Sequence, residues 1–244
     1  FITTFGMQVM RGVIEEKTSR IIEIIISSIK PFQIMMGKII GVGLVGLTQF
    51  LFWILLTVVL VLVFIPMLGI DVSPDAVSQM SSTEMMAASK SELNTSIAAI
   101  WNLPWFALIS SFLIYFIGGY LLFGAVFAIV GAAVDSETDS HQAMLPVQLF
   151  VIFIYVIGCF VVFNPSGATA TWLSQIPFTS PFVMLQRVAA GTVDYRELIL
   201  SLVLLSATIF VTLKGAAKVY KTGILMYGKK ASWKEIFRWM RYSN

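Results

Sequence analysis

Apolar and polar positions fall along this chain in long blocks. Four apolar stretches, 34–65, 103–134, 143–163 and 196–217, each reach the roughly 20 residues that a helix needs to cross the hydrocarbon core of a bilayer. Residues 1–13 are also apolar and read as the cytoplasmic end of a truncated membrane helix, so that further N-terminal sequence is expected. The segment 66–102 is Ser-rich and mildly acidic and reads as an outside loop, its Asp71, Asp75, Glu84 and Glu92 as solvated surface. The stretch 168–191 is amphiphilic and split by Pro177 and Pro181, too interrupted to span. Two short re-entrant helices fit it, with Trp172 and Arg187 as interfacial anchors. The remainder, 218–244, is a basic tail in which Lys or Arg alternates with Trp and Phe, as in a helix lying on anionic lipid.

Between the first two apolar blocks lies a segment of another kind. A helix drawn over 14–30 places Ile14, Thr18, Ile21, Ile22, Ile25 and Ile29 on one stripe. Glu16, Arg20, Glu23, Ser27 and Lys30 fall on the opposite face. Glu16 and Arg20 stand at i and i+4, a spacing that supports an exposed helix. Pro31 stops it, having no N–H to continue the ladder. Such a rod lies along a membrane surface, charges outward, or presses on a soluble partner. A solvated loop with some helical character is the plainer alternative. The isoleucines at 24–26 also suit a strand, but a lone strand beside lipid leaves its edges unpaired.

Composition agrees with membrane residence: 58% of residues are hydrophobic, 12% are charged, and the mean hydropathy is +0.89. The single cysteine, Cys159, and single histidine, His141, offer neither a disulfide framework nor a zinc cluster. Arg11, Lys17, Arg20, Lys30 and Lys38 fall on one side of the spans, with Lys214 to Arg241 beyond the last of them; only Lys90, Arg187 and Arg196 fall on the other. The positive-inside rule makes the first side cytosolic.

Gly37, Gly41, Gly43 and Gly46 open the first full span as candidate helix-packing positions, and Gly118, Gly119, Gly124 and Gly131 serve the second. The run GVGLVG at 41–46 matches a dinucleotide fingerprint in letters but sits in a membrane span, not after a strand. GILMYGKK at 223–230 places Lys230 where a phosphate loop needs Ser or Thr. In VDSETDSHQ, at 134–142, Asp135, Glu137 and Asp139 alternate with small polar residues. The run lacks the glycine turn and terminal glutamate of a calcium loop. Asp139 fits as an N-cap with Gln142 three residues on. If the loop has a partner, Asp135, Glu137 and Asp139 are its contact residues on the cytosolic side.

The segment EEKTSRIIEIIISSIKPFQIMMGKIIG, residues 15–41, resembles the signature of bacterial ABC transporter permeases of the type-2 exporter class, especially the sodium-efflux (Nat-type) branch. AVDSETDSHQ at 133–142 and IPFTSPFVMLQR at 176–187 are similar to further landmarks of that family. The resemblance implies an all-α, polytopic transmembrane bundle with an amphipathic cytosolic coupling helix and short re-entrant helices on the outer side. It implies that Glu15 to Ser28 docks on a separate ABC ATPase subunit, with Glu15, Glu16, Lys17, Arg20 and Glu23 as coupling residues. It also implies a second permease copy or paralogue, a bacterial inner-membrane location, and an earlier transmembrane helix, often with a large outside domain.

The residues themselves show no nucleotide-binding or catalytic motif, no cofactor or metal site and no nucleic-acid surface. Membrane lipids are the expected surroundings. An uphill transporter built this way takes its energy from another polypeptide. A nucleotide-independent secondary transporter or channel, or a membrane scaffold, remains the alternative; the former calls for charges at mid-membrane, where only Gln49, Tyr115, Gln148 and Tyr155 appear.

Overall fold

The computed structural model describes residues 2–19, 29–67, 104–224 and 233–241. Every regular element among these is a helix. In order they are α1 (Ile2–Thr18), α2 (Pro31–Met67), α3 (Trp105–Ala133), α4 (Glu137–Phe163), α5 (Ala168–Gln175), α6 (Ser180–Ala189), α7 (Tyr195–Gly223) and α8 (Trp233–Arg241). Four of them, α2, α3, α4 and α7, are long and apolar enough to cross a membrane. At about 1.5 Å per residue they exceed the roughly 30 Å of hydrocarbon. The protein is therefore an all-α transmembrane helix bundle.

The chain divides into two compact units, residues 1–46 with 109–244, and residues 47–108. In the second unit the described part of α2 presents Leu51, Phe52, Trp53, Leu55, Leu62 and other large apolar side chains outward. That is how a helix whose solvent is lipid differs from one in water. The first unit holds all the polar networks described below.

Within the first unit α3 is the central helix, with 67% of its most apolar stretch buried. Its glycines explain the position. A Cβ on Gly118 would fall 2.8 Å from Leu205 of α7, and one on Gly119 2.9 Å from Pro181 of α6. One on Gly124 would fall 3.3 Å from Ile39 of α2, and one on Gly131 2.8 Å from the carbonyl oxygen of Met10 in α1. Four glycines thus admit four different helices. Lipid gives little hydrophobic drive to helix association, so close approach of this kind is what supplies packing energy.

Local signals set the ends. Pro31 opens α2 as its first residue, where a missing N–H costs nothing. Ser136, rather than Asp139, caps α4: its side chain accepts from the Asp139 N–H at 3.2 Å, which puts Asp139 inside the first turn. The helix starts early enough that Asp139 is a donor to the cap and not the cap itself. Gly191, at φ 66°, ends α6 in the left-handed conformation, with Gly191 N–H donating to Val188 O and Thr192 N–H to Arg187 O.

The region expected to be re-entrant forms the helical pair α5 and α6, and Pro181 sits in the first turn of α6. The last span runs on to Gly223, which places Lys218 and Lys221 on α7 itself rather than in a separate tail. Helix α8 folds back on α7: Ile236 is buried with Ala216, Val219 and Tyr220, and the Lys218 ammonium donates to Met240 O at 3.4 Å.

Candidate coupling site

The last turn of α1 meets the start of α2, the end of α3, the connection from α3 to α4 and the end of α7. This is the basic end of the bundle. Helix α1 buries Phe5, Val9, Met10, Val13, Ile14 and Lys17, an unbroken helical stripe whose final member is charged. The expected boundary between 13 and 14 is absent, because the same face packs continuously from Phe5 to Lys17.

Lys17 is 2% exposed. Its ammonium lies 2.6 Å from Asp135 and donates to the carbonyls of Ala132 and Val134, each at 3.2 Å. These carbonyls close α3, where a helix leaves acceptors without donors and carries the negative end of its dipole. Lys17 caps α3 from another helix. A buried ammonium is costly unless fully satisfied, and three acceptors satisfy it.

Glu16 engages two other helices. One carboxylate oxygen is 2.7 Å from the Lys38 ammonium of α2, and the other accepts from the Tyr220 hydroxyl of α7 at 2.8 Å. Lys38 also donates to the carbonyl oxygen of Gly12, one turn earlier on α1. Gly12 leaves room for that side chain: a Cβ there would stand 3.0 Å from the ammonium. Glu15 is exposed on the same turn.

Three of the five residues implied as coupling residues, Glu15, Glu16 and Lys17, are therefore placed here, and two of them are engaged inside the chain. Arg20 and Glu23 lie outside the described residues. Asp135 meets Lys17; Asp139 lies half-buried in the first turn of α4, and Glu137 begins that helix. Of the α2 glycines, Gly43 faces the Tyr120 ring, 2.5 Å from where its Cβ would stand, and Gly46 is buried. A Cβ on Gly37 or Gly41 would meet nothing within 4 Å.

A second polar network occupies the opposite end. Arg187, also 2% exposed, pairs with Glu197 at 2.7 Å. It donates to Pro165 O at 3.0 Å, Ser174 Oγ at 2.7 Å and Thr192 O at 3.4 Å. Ser201 of α7 donates to Ser174 O at 2.9 Å. Arg187 is thus a buried tie among α5, α6, α7 and two loops, while Trp172 is 75% exposed. The interfacial placement expected for both does not suit Arg187, which is buried. The missed signal was periodic: Val183, Met184, Arg187 and Val188 share one face of α6, so the charge lies on the apolar stripe.

Among the described residues no group of three or more His, Cys, Asp or Glu side chains is arranged to hold a metal ion. A cleft of about 400 Å³ beside α4 and α5 is lined by Ile157, Phe160, Val161, Leu173 and others, with Asn164 and Thr169 as its polar members.

Long apolar helices, glycine-mediated packing and charge clusters at the helix ends define a polytopic membrane protein. The chain belongs to the ABC-2 transporter family: a profile of ABC-2 family transporter proteins matches residues 1–218. It is 28% identical over 242 residues to the uncharacterized protein YhaP of Bacillus subtilis (strain 168), covering 98% of this chain and 52% of YhaP. It is 24% identical over 237 residues to the uncharacterized protein MJ1024 of Methanocaldococcus jannaschii, covering 97% of this chain and 50% of MJ1024. The chain spans about half the length of these relatives. No solved structure matches it.

Proposed function

We propose that this chain is the permease part of an ATP-driven ABC exporter, forming the translocation pathway and taking its energy from a separate ATPase subunit. Family membership supports the transporter class. The observation that carries the coupling is the last turn of α1: Glu15 is exposed while its neighbours Glu16 and Lys17 are tied into α2, α3, α7 and the connection between α3 and α4. A partner engaging residues 20–28 pulls on a turn already fastened to α2, α3 and α7. The basic end then faces the cytosol of a bacterial inner membrane, and the opposite end, with the α5–α6 pair, guards the outer mouth. A second copy or a paralogue completes the pathway.

Sodium is the proposed substrate, on the likeness of residues 15–41 to the Nat-type signature alone. The experiment is reconstitution in vesicles of the permease with the ATPase that co-purifies with it, followed by sodium efflux on adding ATP. Efflux that requires both subunits and ATP supports the reading. Sodium movement without nucleotide favours a secondary transporter or channel, and no movement of any ion leaves the scaffold reading standing.

A further inference from the structure

The pattern of residues 218–244 suits a helix lying apolar face down on anionic lipid, and the structure gives part of that face another use. Ile236 is buried with Ala216, Val219 and Tyr220 of α7, and Trp239 and Met240 pack on the same cluster. A Cβ on Gly215 of α7 would stand 3.1 Å from the Met240 sulfur. These three side chains of α8 are engaged by protein. The exposed charge beside them lies on α7. Lys214, Lys218 and Lys221 are all exposed and stand at i, i+4 and i+7, on one face of the helix. They cover about 10 Å of its axis, comparable with the depth of one headgroup layer. The Lys214 ammonium lies 4.1 Å over the ring of Phe210, an exposed residue of the apolar stretch, so the row begins where the hydrocarbon ends. Lys218 donates to Met240 O at 3.4 Å, which leaves it further donors. Among the described residues none of the three is in an ion pair with a carboxylate. From Lys214 to Asn244 the chain holds eight basic residues and a single acid, Glu235, whereas the whole chain carries a net charge of only +3.

We infer that the Lys214–Lys218–Lys221 row of α7 binds the headgroup of an anionic phospholipid in the leaflet at this end of the bundle. Clustered basic residues directly beyond a membrane span attract acidic lipid, because an anionic leaflet has a negative surface potential. Three ammoniums on flexible stems suit a phosphate whose position is not fixed, since each acts as a point charge and not as a planar fork. Depth favours lipid over an acidic protein surface as the occupant. The row belongs to the spanning helix itself and starts one turn from a ring in the apolar stretch, where a phospholipid phosphate stands and a soluble protein does not reach. Tyr220, in the same turn as Lys218 and Lys221, donates to Glu16, so a headgroup held here steadies the helix that fastens the end of α1. The site requires only that this end of the bundle lies at a bilayer surface, and not the proposed coupling to an ATPase.

The test uses the full chain in phosphatidylcholine vesicles without ATPase, with spin-labelled phosphatidylglycerol and spin-labelled phosphatidylcholine as probes of the lipid held against the protein. At low salt the wild type should prefer the anionic probe by about fivefold or more. The preference should shrink at about 0.5 M salt, where the screening length is only a few ångströms. Lys214→Gln/Lys218→Gln/Lys221→Gln should bring it close to one, and the corresponding triple change to Arg should keep it. Lys229→Gln/Lys230→Gln/Lys234→Gln removes the same charge from the neighbouring stretch and should keep most of it. All variants are compared at equal unfolding temperature in phosphatidylcholine alone, so that lost folding is not read as lost binding. Equal retention of both probes by the wild type overturns the site, as does a preference that the α7 variant keeps or that the neighbouring variant loses equally. A parallel co-purification in which the α7 variant loses an ATPase while its lipid preference is unchanged assigns the row to a protein partner and overturns the lipid site as well. Because the vesicles hold no ATPase, failure of the lipid measurement leaves the coupling reading to its own experiment.

Discussion

Lys17, near the end of α1, and Asp135, in the short connection between α3 and α4, meet at 2.6 Å with the lysine almost wholly buried. Both were expected to face a partner protein, and they face each other instead. Their contact makes the end of α1 a structural part of the bundle. Charge at this end of the molecule therefore holds helices together as well as facing outward.

Removing the ammonium should be expensive. Lys17→Met takes a buried cation from Asp135 and from the last carbonyls of α3, and breaking such a pair from one side costs up to about 3–5 kcal/mol when it is fully buried. The unfolding temperature of the purified chain in detergent should fall clearly. Adding Asp135→Asn should recover part of the loss, since the carboxylate that faced Lys17 is then neutral. A double-mutant cycle with no interaction energy counts against the cap.

Arg187 should tolerate no conservative replacement. Its guanidinium serves a carboxylate, a hydroxyl and two carbonyls at once. A lysine has three donors on a single point and cannot reach four acceptors placed around a plane. Arg187→Lys should destabilise nearly as much as Arg187→Met. Hydrogen exchange should rise together around Pro165, in α5 and at Thr192, because one side chain ties all three. Exchange that rises in α6 alone contradicts the shared tie.

The glycines should divide into two classes. Gly131→Ala pushes a methyl into the backbone of Met10, and overpacking of this kind costs about 1–3 kcal/mol. Gly37→Leu and Gly41→Leu meet open space within the chain and improve helix propensity, so thermal stability should hold or rise. If a second copy packs on that face, the same pair of changes should lower the fraction of dimer trapped by chemical cross-linking. An undiminished dimer removes Gly37 and Gly41 from the copy interface.

The class of fold was legible because its cause is one-dimensional: a run of about 20 apolar residues has few structures open to it in lipid. Two short helices at 168–189 were legible from Pro177 and Pro181, which break the ladder. The α3 glycines were legible as contact points, although nothing in a sequence assigns Gly118 to α7 or Gly131 to α1. Lys17 and Arg187 were read as surface because charge usually is. Each nevertheless continues a buried periodicity, Val9–Val13–Lys17 in one case and Val183–Arg187 in the other, and only a distant partner such as Asp135 or Glu197 makes that burial affordable. Spacing within one helix offered Glu16 only Arg20, which lies outside the described residues, and gave no sign of Lys38 and Tyr220, which reach it from two other helices; contacts between elements are the part a local rule does not contain.

The central claim is that the segment following α1 receives work from an ATPase. The direct measurement is co-purification of that ATPase with tagged permease, paired with its hydrolysis rate. Wild-type chain and Glu15→Lys/Arg20→Glu/Glu23→Lys should be compared at equal membrane content. The account predicts that the wild type retains the ATPase and changes its hydrolysis rate, and that the triple variant inserts normally but loses both. Equal retention and equal hydrolysis with the triple variant would contradict it.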